Sequence, residues 1–232
     1  MQQNRRDFQK LMKGGEVSEP GPDLQQEIRR IVRDETQGAG EAPPAAPIGD
    51  PAPLGLAAFA LTTFLLSLFN AGLLNPAGEP IVFPLGLFYG GLAQFAAGMW
   101  EFRNNNTFGA TAFTSYGAFW IVVAAFNTFY AGRIPEAQLP AAVGWFLIAW
   151  GIFTAYMWIG SLRVSVAVMA VFLLLAATFF LLGIGELTGS AGIGQIGGYV
   201  GIATAIVAWY TSAAGVINHN FGQTILPVKP LG

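Results

Sequence analysis

Residues 164–185 read VSVAVMAVFLLLAATFFLLGIG, a run of 22 residues without a charged side chain. A helix needs about 20 apolar residues to cross the hydrocarbon core of a bilayer. A membrane β-strand has only about 10 residues and alternates apolar with polar side chains, which this run does not do. The run therefore predicts a transmembrane helix.

Five further apolar segments of similar length surround this run, so the chain is predicted to be an all-α membrane protein with six transmembrane helices. We place the helices at residues 54–74, 81–100, 108–131, 141–160, 164–185 and 196–217. Short stretches rich in Gly, Pro, Asn or charged residues separate them, and the last separator is the glycine-rich stretch 185–194.

The composition favours the same class of protein. Of the 232 residues, 53% are hydrophobic, only 10% are charged and none is cysteine, whereas a soluble domain averages about 25% charged residues. After residue 53 the chain holds only four Lys or Arg and four Asp or Glu, too few to cover a water-facing surface. These numbers exclude a soluble enzyme, a nucleic-acid-binding protein and a disulfide-stapled secreted domain.

The N-terminal residues 1–53 form a polar tail that holds most of the charged side chains. Within it Leu24, Ile28, Ile31 and Val32 recur at helical spacing, which predicts a short amphipathic helix. Two interpretations of this tail stay open. It is either a partly disordered segment with one nascent helix, or it carries a helix that lies on the membrane surface or on a neighbouring subunit.

Positive charges predict the orientation, because cytoplasmic loops carry an excess of Lys and Arg. With the N-terminus inside, the cytoplasmic side receives the cations of the tail, Arg103, Arg163 and Lys229, and the outer side receives only Arg133. We therefore predict both termini in the cytoplasm; the expected location of this multi-pass protein is the plasma (inner) membrane. Its predicted parts are a cytoplasmic tail (1–53), a six-helix transmembrane domain (54–218) and a C-terminal cytoplasmic tail (219–232).

The membrane part offers little reactive chemistry. After the tail the first lysine is Lys229, which leaves no buried amine for a Schiff base. His219 is the only histidine and cannot by itself supply two axial ligands to a haem. No residues have metal-ligand spacing, and no aspartate follows Asp50. The sequence therefore predicts that the protein is not an enzyme and holds neither a cofactor nor a metal.

Neutral polar residues remain at membrane depth, where such side chains face the bundle interior or a water-filled path. A hydroxyl in such a place usually bonds the carbonyl four residues earlier in its own helix. Amides are costlier to bury, and we select Asn70, Gln94 and Asn218, together with Thr111, as candidate substrate-binding residues. Neutral donors without a fixed cation suit a small monocarboxylate that binds weakly and leaves again.

Two titratable residues are candidates for a link to protons. Glu101 closes the second segment, and His219 follows the last one. Histidine changes its charge near neutral pH, and a carboxyl group can do so when its surroundings are suitable. A solvated position at the membrane interface is the alternative interpretation of each.

The entry to the first segment carries a recognisable signature. Residues 50–56, DPAPLGL, resemble the Asn-Pro-Ala-Pro-Leu-Gly-Leu motif of the acetate uptake transporters, also called the succinate–acetate permease family. Residues 88–94 (FYGGLAQ), 106–120 (NTFGATAFTSYGAFW) and 220–227 (NFGQTILP) are similar to further motifs of that family, in the same order.

The entrance motif of this chain comprises Asp50, Pro51, Pro53 and Gly55. Asp50 stands where the family usually has asparagine. Either residue can cap a helix by accepting from backbone amides, so we expect the fold to tolerate the difference.

The resemblance implies both an architecture and a substrate. It implies a homo-oligomer, a hexamer, with one solute path through each protomer, and it implies acetate and related short carboxylates such as succinate as solutes. By motif position, Phe59, Tyr116 and Leu175 correspond to the constriction that narrows the path in this family. Apolar side chains there would hold back hydrated ions, and the Tyr116 hydroxyl is expected to donate to a carboxylate.

The leading hypothesis is transport of acetate and related carboxylates through the membrane, by proton-coupled symport or by channel-like permeation. One alternative is a membrane acetate sensor that signals through the N-terminal tail. A second alternative is a urea or amide channel of similar build, because neutral donors and acceptors would also suit urea.

Overall fold

The computed structural model describes residues 21–38 and 48–231. The remainder of the predicted tail, residues 1–20 and 39–47, lies outside the described residues. Helix α1 spans Pro22–Gly38, and its apolar side chains Leu24, Ile28, Ile31 and Val32 are all about half exposed.

Residues 48–231 hold six helices that are long and apolar enough to cross a membrane, which confirms the predicted all-α architecture. Five of them contain one regular helix each. These are α2 (Ala52–Asn70), α5 (Thr107–Ala125), α6 (Leu139–Ser161), α7 (Val166–Thr188) and α8 (Ala191–Phe221). The other span, Pro76–Arg103, contains α3 (Val82–Leu87) and α4 (Gln94–Arg103).

The glycine-rich stretch 185–194 is not the loop that we predicted. Helix α7 continues to Thr188 and α8 starts at Ala191, so only Gly189 and Ser190 form the turn. Gly189 has a φ of +66°, which suits a residue without a Cβ. The other glycines remain helical, in keeping with the frequency of glycine in transmembrane helices. At its other end α8 reaches Phe221, so the predicted boundary between residues 218 and 219 falls inside this helix.

The span that contains α3 and α4 is not a continuous α-helix. One π-helical turn, Phe88–Ala93, joins the two parts and brings Gln94 to the start of α4. Such turns occur often at functional sites because they change the direction in which the following side chains point. Nothing in the apolar pattern of these residues predicts this turn.

Small residues let the helices approach closely, as expected for packing in lipid. Helix α2 packs against α8, α7 packs against both α6 and α8, and α4 packs against α5. A Cβ on Gly198 of α8 would come within 2.6 Å of the carbonyl carbon of Asn70, and one on Gly117 of α5 within 2.7 Å of the Phe95 amide nitrogen. These two glycines therefore serve helix packing rather than a wider pore.

Candidate solute path

The three predicted constriction residues lie around one small cavity in the middle of the bundle. Phe59, Tyr116 and Leu175 are 5%, 3% and 4% exposed. The cavity has a volume of about 20 Å³, room for roughly one water molecule. Side chains of α2, α4, α5 and α7 enclose it: Leu56, Phe59, Gln94, Ala112, Phe113, Tyr116, Val171, Phe172 and Leu175. The passage is closed at this level.

The entrance motif fixes the start of α2 and so the position of Phe59. Asp50 Oδ1 accepts from the Ala52 amide at 2.9 Å, which satisfies one of the free amides at the helix start. The carbonyl of Pro53 accepts from Ser212 Oγ of α8 at 2.6 Å. A Cβ on Gly55 would come within 2.7 Å of the Phe113 ring, so the absence of a side chain lets Phe113 reach the cavity.

The hydroxyl of Tyr116 is engaged with α6. Its oxygen lies 2.9 Å from Thr154 Oγ1, and Thr154 donates to the Trp150 carbonyl at 2.7 Å. Because a threonine hydroxyl has one proton, the proton between Tyr116 and Thr154 belongs to Tyr116. The expectation that Tyr116 donates to a passing carboxylate is therefore not met in this geometry.

Aromatic rings from α6 complete the wall behind Tyr116. The ring centroids of Trp150 and Phe153 lie 5.9 and 5.4 Å from that of Tyr116. All three α6 residues, Thr154 included, lie outside the set of site residues predicted from the sequence. Thr154 could have been found, because a polar side chain within an otherwise apolar stretch of helix is expected to face the bundle interior.

Gln94 supplies the amide of the cavity. Its side chain is 1% exposed, and its Oε1 atom has no hydrogen-bond partner among the described residues. An unpaired buried polar group carries a large free-energy cost, so native proteins seldom keep one without a reason. A solute carboxyl group in the cavity would give this amide a partner.

A much larger cavity, about 510 Å³ in volume, lies toward the end of the bundle where α2 stops. We call it the vestibule. Asn70 lines it together with Leu66, Phe119 and two carboxylate residues, Glu79 and Glu186. Asn70 and Gln94 therefore belong to two successive compartments. The ring of Phe119 also meets the ring of Phe179 edge to face, with centroids 5.2 Å apart.

Three other predicted residues line neither cavity. Thr111 is partly buried and His219 is exposed. Asn218 has a structural place: its Nδ2 donates to the Leu226 carbonyl at 2.8 Å, and its Oδ1 accepts from the amides of Ile225 and Leu226. All of its bonds go to the C-terminal segment that folds back on α8, so Asn218 is not a free donor to substrate.

Glu101 is fully buried at the end of α4. Its Oε2 accepts from Asn106 Nδ2 at 2.9 Å, and Asn106 Oδ1 in turn accepts from the Gly109 amide at 3.0 Å, which caps α5. The other carboxyl oxygen, Oε1, has no partner among the described residues. Within the same residues no three His, Cys, Asp or Glu side chains come together as a metal site.

The fold and these two cavities define a class of protein. A helical bundle that spans the membrane, with a wide cavity toward one end and a second, narrow cavity among aromatic rings, is typical of a protein that lets a small solute cross. The sequence model of the GPR1/FUN34/yaaH family matches residues 34–232 of this chain. The chain belongs to this family.

Named relatives are similar over most of the chain. The succinate-acetate/proton symporter SatP of Escherichia coli K12 is 40% identical over 181 residues, covering 78% of this chain and 95% of the relative. Acetate permease A of Emericella nidulans is 42% identical over 199 residues, covering 79% of this chain and 67% of the relative. The solved structure of the bacterial acetate channel SatP matches with a TM-score of 0.74 at 40% identity, covering 78% of this chain and 99% of the other.

Proposed function

We propose that this protein transports acetate and related short carboxylates, including succinate, across a membrane. The observation that carries the proposal is the buried amide of Gln94 in a cavity otherwise bounded by apolar and aromatic side chains. The names of the two curated relatives and of the solved structure support the choice of carboxylates as solutes.

The physical properties of the passage suit a small, weakly hydrated solute. Apolar rings offer nothing to replace the hydration shell of a strongly hydrated metal cation, so such ions are held back. Acetate or acetic acid loses little hydration around its methyl group, which can pack on Phe59 and Leu175. Its carboxyl group can bond the Gln94 amide. Binding at such a site is weak enough for release toward either side.

Two mechanisms are open for the passage through the constriction. In a channel, the solute moves down its own gradient whenever the rings of Phe59 and Tyr116 separate. In a symporter, a proton crosses with each carboxylate, either on the acid itself or through a titratable side chain. Glu101 is the candidate for that side chain because it is buried, whereas His219 is exposed.

The proposed setting is the plasma (inner) membrane, with both termini in the cytoplasm and the vestibule open to the outside. The distribution of Lys and Arg supports this orientation. Residues 1–53 and the segment after α8 would then be cytoplasmic tails. A hexamer with one path in each protomer follows from the resemblance to the acetate transporters.

Uptake of radiolabelled acetate into proteoliposomes, with and without a pH gradient, tests the proposal. The expected result is uptake that depends on the protein and is altered by Phe59→Ala in its rate or in its preference for acid size. Accumulation above the passive weak-acid distribution of protein-free liposomes indicates symport. Faster approach to that same distribution indicates a channel. A folded preparation without any protein-dependent uptake would contradict the proposal.

The two alternatives receive less support. The sensor alternative would be supported by relatives that are named for the detection of acetate. The relatives described above are instead named as a symporter, a permease and a channel. Competition between urea and acetate for uptake separates a urea or amide channel from a carboxylate path. Deletion of residues 1–47 separates a sensor from a transporter, because unchanged uptake makes the tail dispensable for transport.

A further inference from the structure

One face of α2 runs along the whole path from the constriction to the vestibule. Leu56 and Phe59 of this face line the small cavity, and Leu66 and Asn70 line the vestibule. The intervals between these residues are three, seven and four, which keeps them on one side of a helix. Thr63 lies four residues after Phe59 and three before Leu66. It therefore occupies the same face, between the two cavities.

The hydroxyl of Thr63 differs from those of most threonines in the bundle. Seven threonines in the described spans donate to the carbonyl four residues earlier, at 2.7 to 2.9 Å: Thr62, Thr128, Thr154, Thr178, Thr188, Thr204 and Thr211. Thr63 is 6% exposed, yet its Oγ1 has no hydrogen-bond partner among the described residues. The default bond of a buried helical threonine is not made here.

We propose that Thr63 is a binding station for the carboxyl group of the solute, intermediate between the vestibule and the constriction. This inference rests on the proposed function. Along α2 the station lies about 6 Å from Phe59 and about 10 Å from Asn70, at the helical rise of about 1.5 Å per residue. A solute that leaves Asn70 meets the Thr63 hydroxyl before it meets the Gln94 amide.

Successive weak stations have a physical purpose. A carboxyl group that enters an apolar passage without a partner loses its bonds to water and gains none, which raises the barrier to crossing. Several neutral partners in series lower each part of that barrier without trapping the solute. A hydroxyl is well suited, because it can donate to a carboxylate and can accept from a protonated acid.

The neighbouring residue Thr62 provides a matched control. Its hydroxyl donates to the Ala58 carbonyl at 2.9 Å, and it faces Gly90, on which a Cβ would come within 2.5 Å of Thr62 Oγ1. Thr62 therefore packs between helices. Thr114 is a second control, since its Oγ1 is also buried without a partner, but it belongs to α5 and lies against Gly98 of α4 instead of on the face of α2 that joins the levels of the two cavities.

The test is the concentration dependence of acetate uptake into proteoliposomes for Thr63→Val, Thr62→Val and Thr114→Val, with Thr63→Ser as the rescue. Valine keeps the shape and removes the hydroxyl. We expect Thr63→Val to raise KM for acetate about ten-fold, the effect of one lost hydrogen bond to a charged group. Thr63→Ser should restore KM to within about three-fold, and both control variants should stay within about two-fold of wild type.

The outcomes separate the station from the proposed function. If the wild-type protein takes up no acetate, the proposed function fails, whatever the variants do. If the wild type transports acetate and Thr63→Val behaves like Thr62→Val, the station is wrong. A lower maximal rate that Thr63→Ser does not restore would also overturn it, because this result indicates altered packing rather than a lost hydroxyl. If Thr63→Val does not fold, an unaltered KM in the Thr63→Ala variant contradicts the station.

Discussion

The phenol oxygen of Tyr116 lies 2.9 Å from the hydroxyl oxygen of Thr154, across the boundary between α5 and α6. This bond holds the ring of Tyr116 against α6 and orients it edge to face with Phe153. Thr154 therefore helps to position the ring beside Phe59, together with the rings of Trp150 and Phe153, although it does not line the small cavity itself.

Loss of the Tyr116 hydroxyl and loss of the Thr154 hydroxyl should differ in their effect on stability. Tyr116→Phe leaves Thr154 bonded to the Trp150 carbonyl, so we expect acetate uptake within about two-fold of wild type. Thr154→Val leaves the Tyr116 hydroxyl buried without an acceptor, which costs about 1–3 kcal/mol of stability. Thermal unfolding in detergent and acetate uptake measure the two effects. Equal unfolding temperatures for the two variants would contradict this account.

The side chain of Leu175 should limit the size of the transported acid. Leu175→Ala removes three carbon atoms from the wall of the small cavity, and we expect uptake of propionate and butyrate relative to acetate to rise about three- to ten-fold. Leu173→Ala is the matched control, because Leu173 is 47% exposed and lines neither cavity. Competition by each acid against labelled acetate is the measurement, and an equal response of both variants would refute the assignment.

The two carboxylates of the vestibule should discriminate against dianions. Glu79 and Glu186 line the vestibule, and its described lining includes no Lys or Arg. Replacement of both by glutamine removes the repulsion, so succinate uptake at neutral pH should rise several-fold relative to acetate uptake. The difference should shrink at high salt, which screens charges at solvated sites. An unchanged ratio at low salt would show that the constriction alone selects between the two solutes.

Glu101 and His219 should respond differently to removal of their charge. His219 is exposed and lines neither cavity, so His219→Gln should leave uptake and its response to a pH gradient unchanged. Glu101→Gln keeps the shape of a fully buried side chain and removes its titration, so we expect a weaker response to the gradient at a similar rate of passive exchange. Acetate uptake at several imposed gradients measures both variants. A normal response of Glu101→Gln assigns the proton to the acid itself.

Asn218 should affect stability and not affinity. Its amide makes three hydrogen bonds to the backbone of residues 225 and 226. Asn218→Ala should lower the unfolding temperature by a few degrees and expose the C-terminal segment to carboxypeptidase, with KM for acetate unchanged. Asn218→Asp keeps the two acceptor bonds and loses the donor, so it should be intermediate. If KM changes while the C-terminal segment stays protected from carboxypeptidase, Asn218 acts on the solute and this prediction is wrong.

The sequence could predict the helices but not their local irregularities. Length and lack of charge identify a membrane span wherever 20 or so apolar residues occur together. The π-helical turn at Phe88–Ala93 has no such signal, because a span that is apolar on every side has no amphipathic period to reveal a change of register. The turn between α7 and α8 was predicted too long because glycine is tolerated better in helices within lipid than in water.

The family motifs and the list of amide side chains at membrane depth differed in how well they identified residues that line a cavity. The motif positions of Phe59, Tyr116 and Leu175 point to residues that enclose one cavity, although their role in transport stays a prediction. The inventory of buried amides could not separate Gln94, which faces a cavity, from Asn218, which bonds the chain's own backbone. That distinction depends on how the C-terminal segment folds back, and no local pattern near Asn218 encodes it.

Helix α6 lies between the passage and the outer surface of the bundle. Thr154 and Trp150 of α6 contact Tyr116, while Trp145, Ile152 and Ile159 on its other side are exposed. A single helix, about 10 Å across, therefore separates the narrowest part of the path from lipid or from a neighbouring subunit. Bilayers of different thickness change the tilt of such helices, so we expect the rate of acetate uptake to depend on the thickness of the membrane.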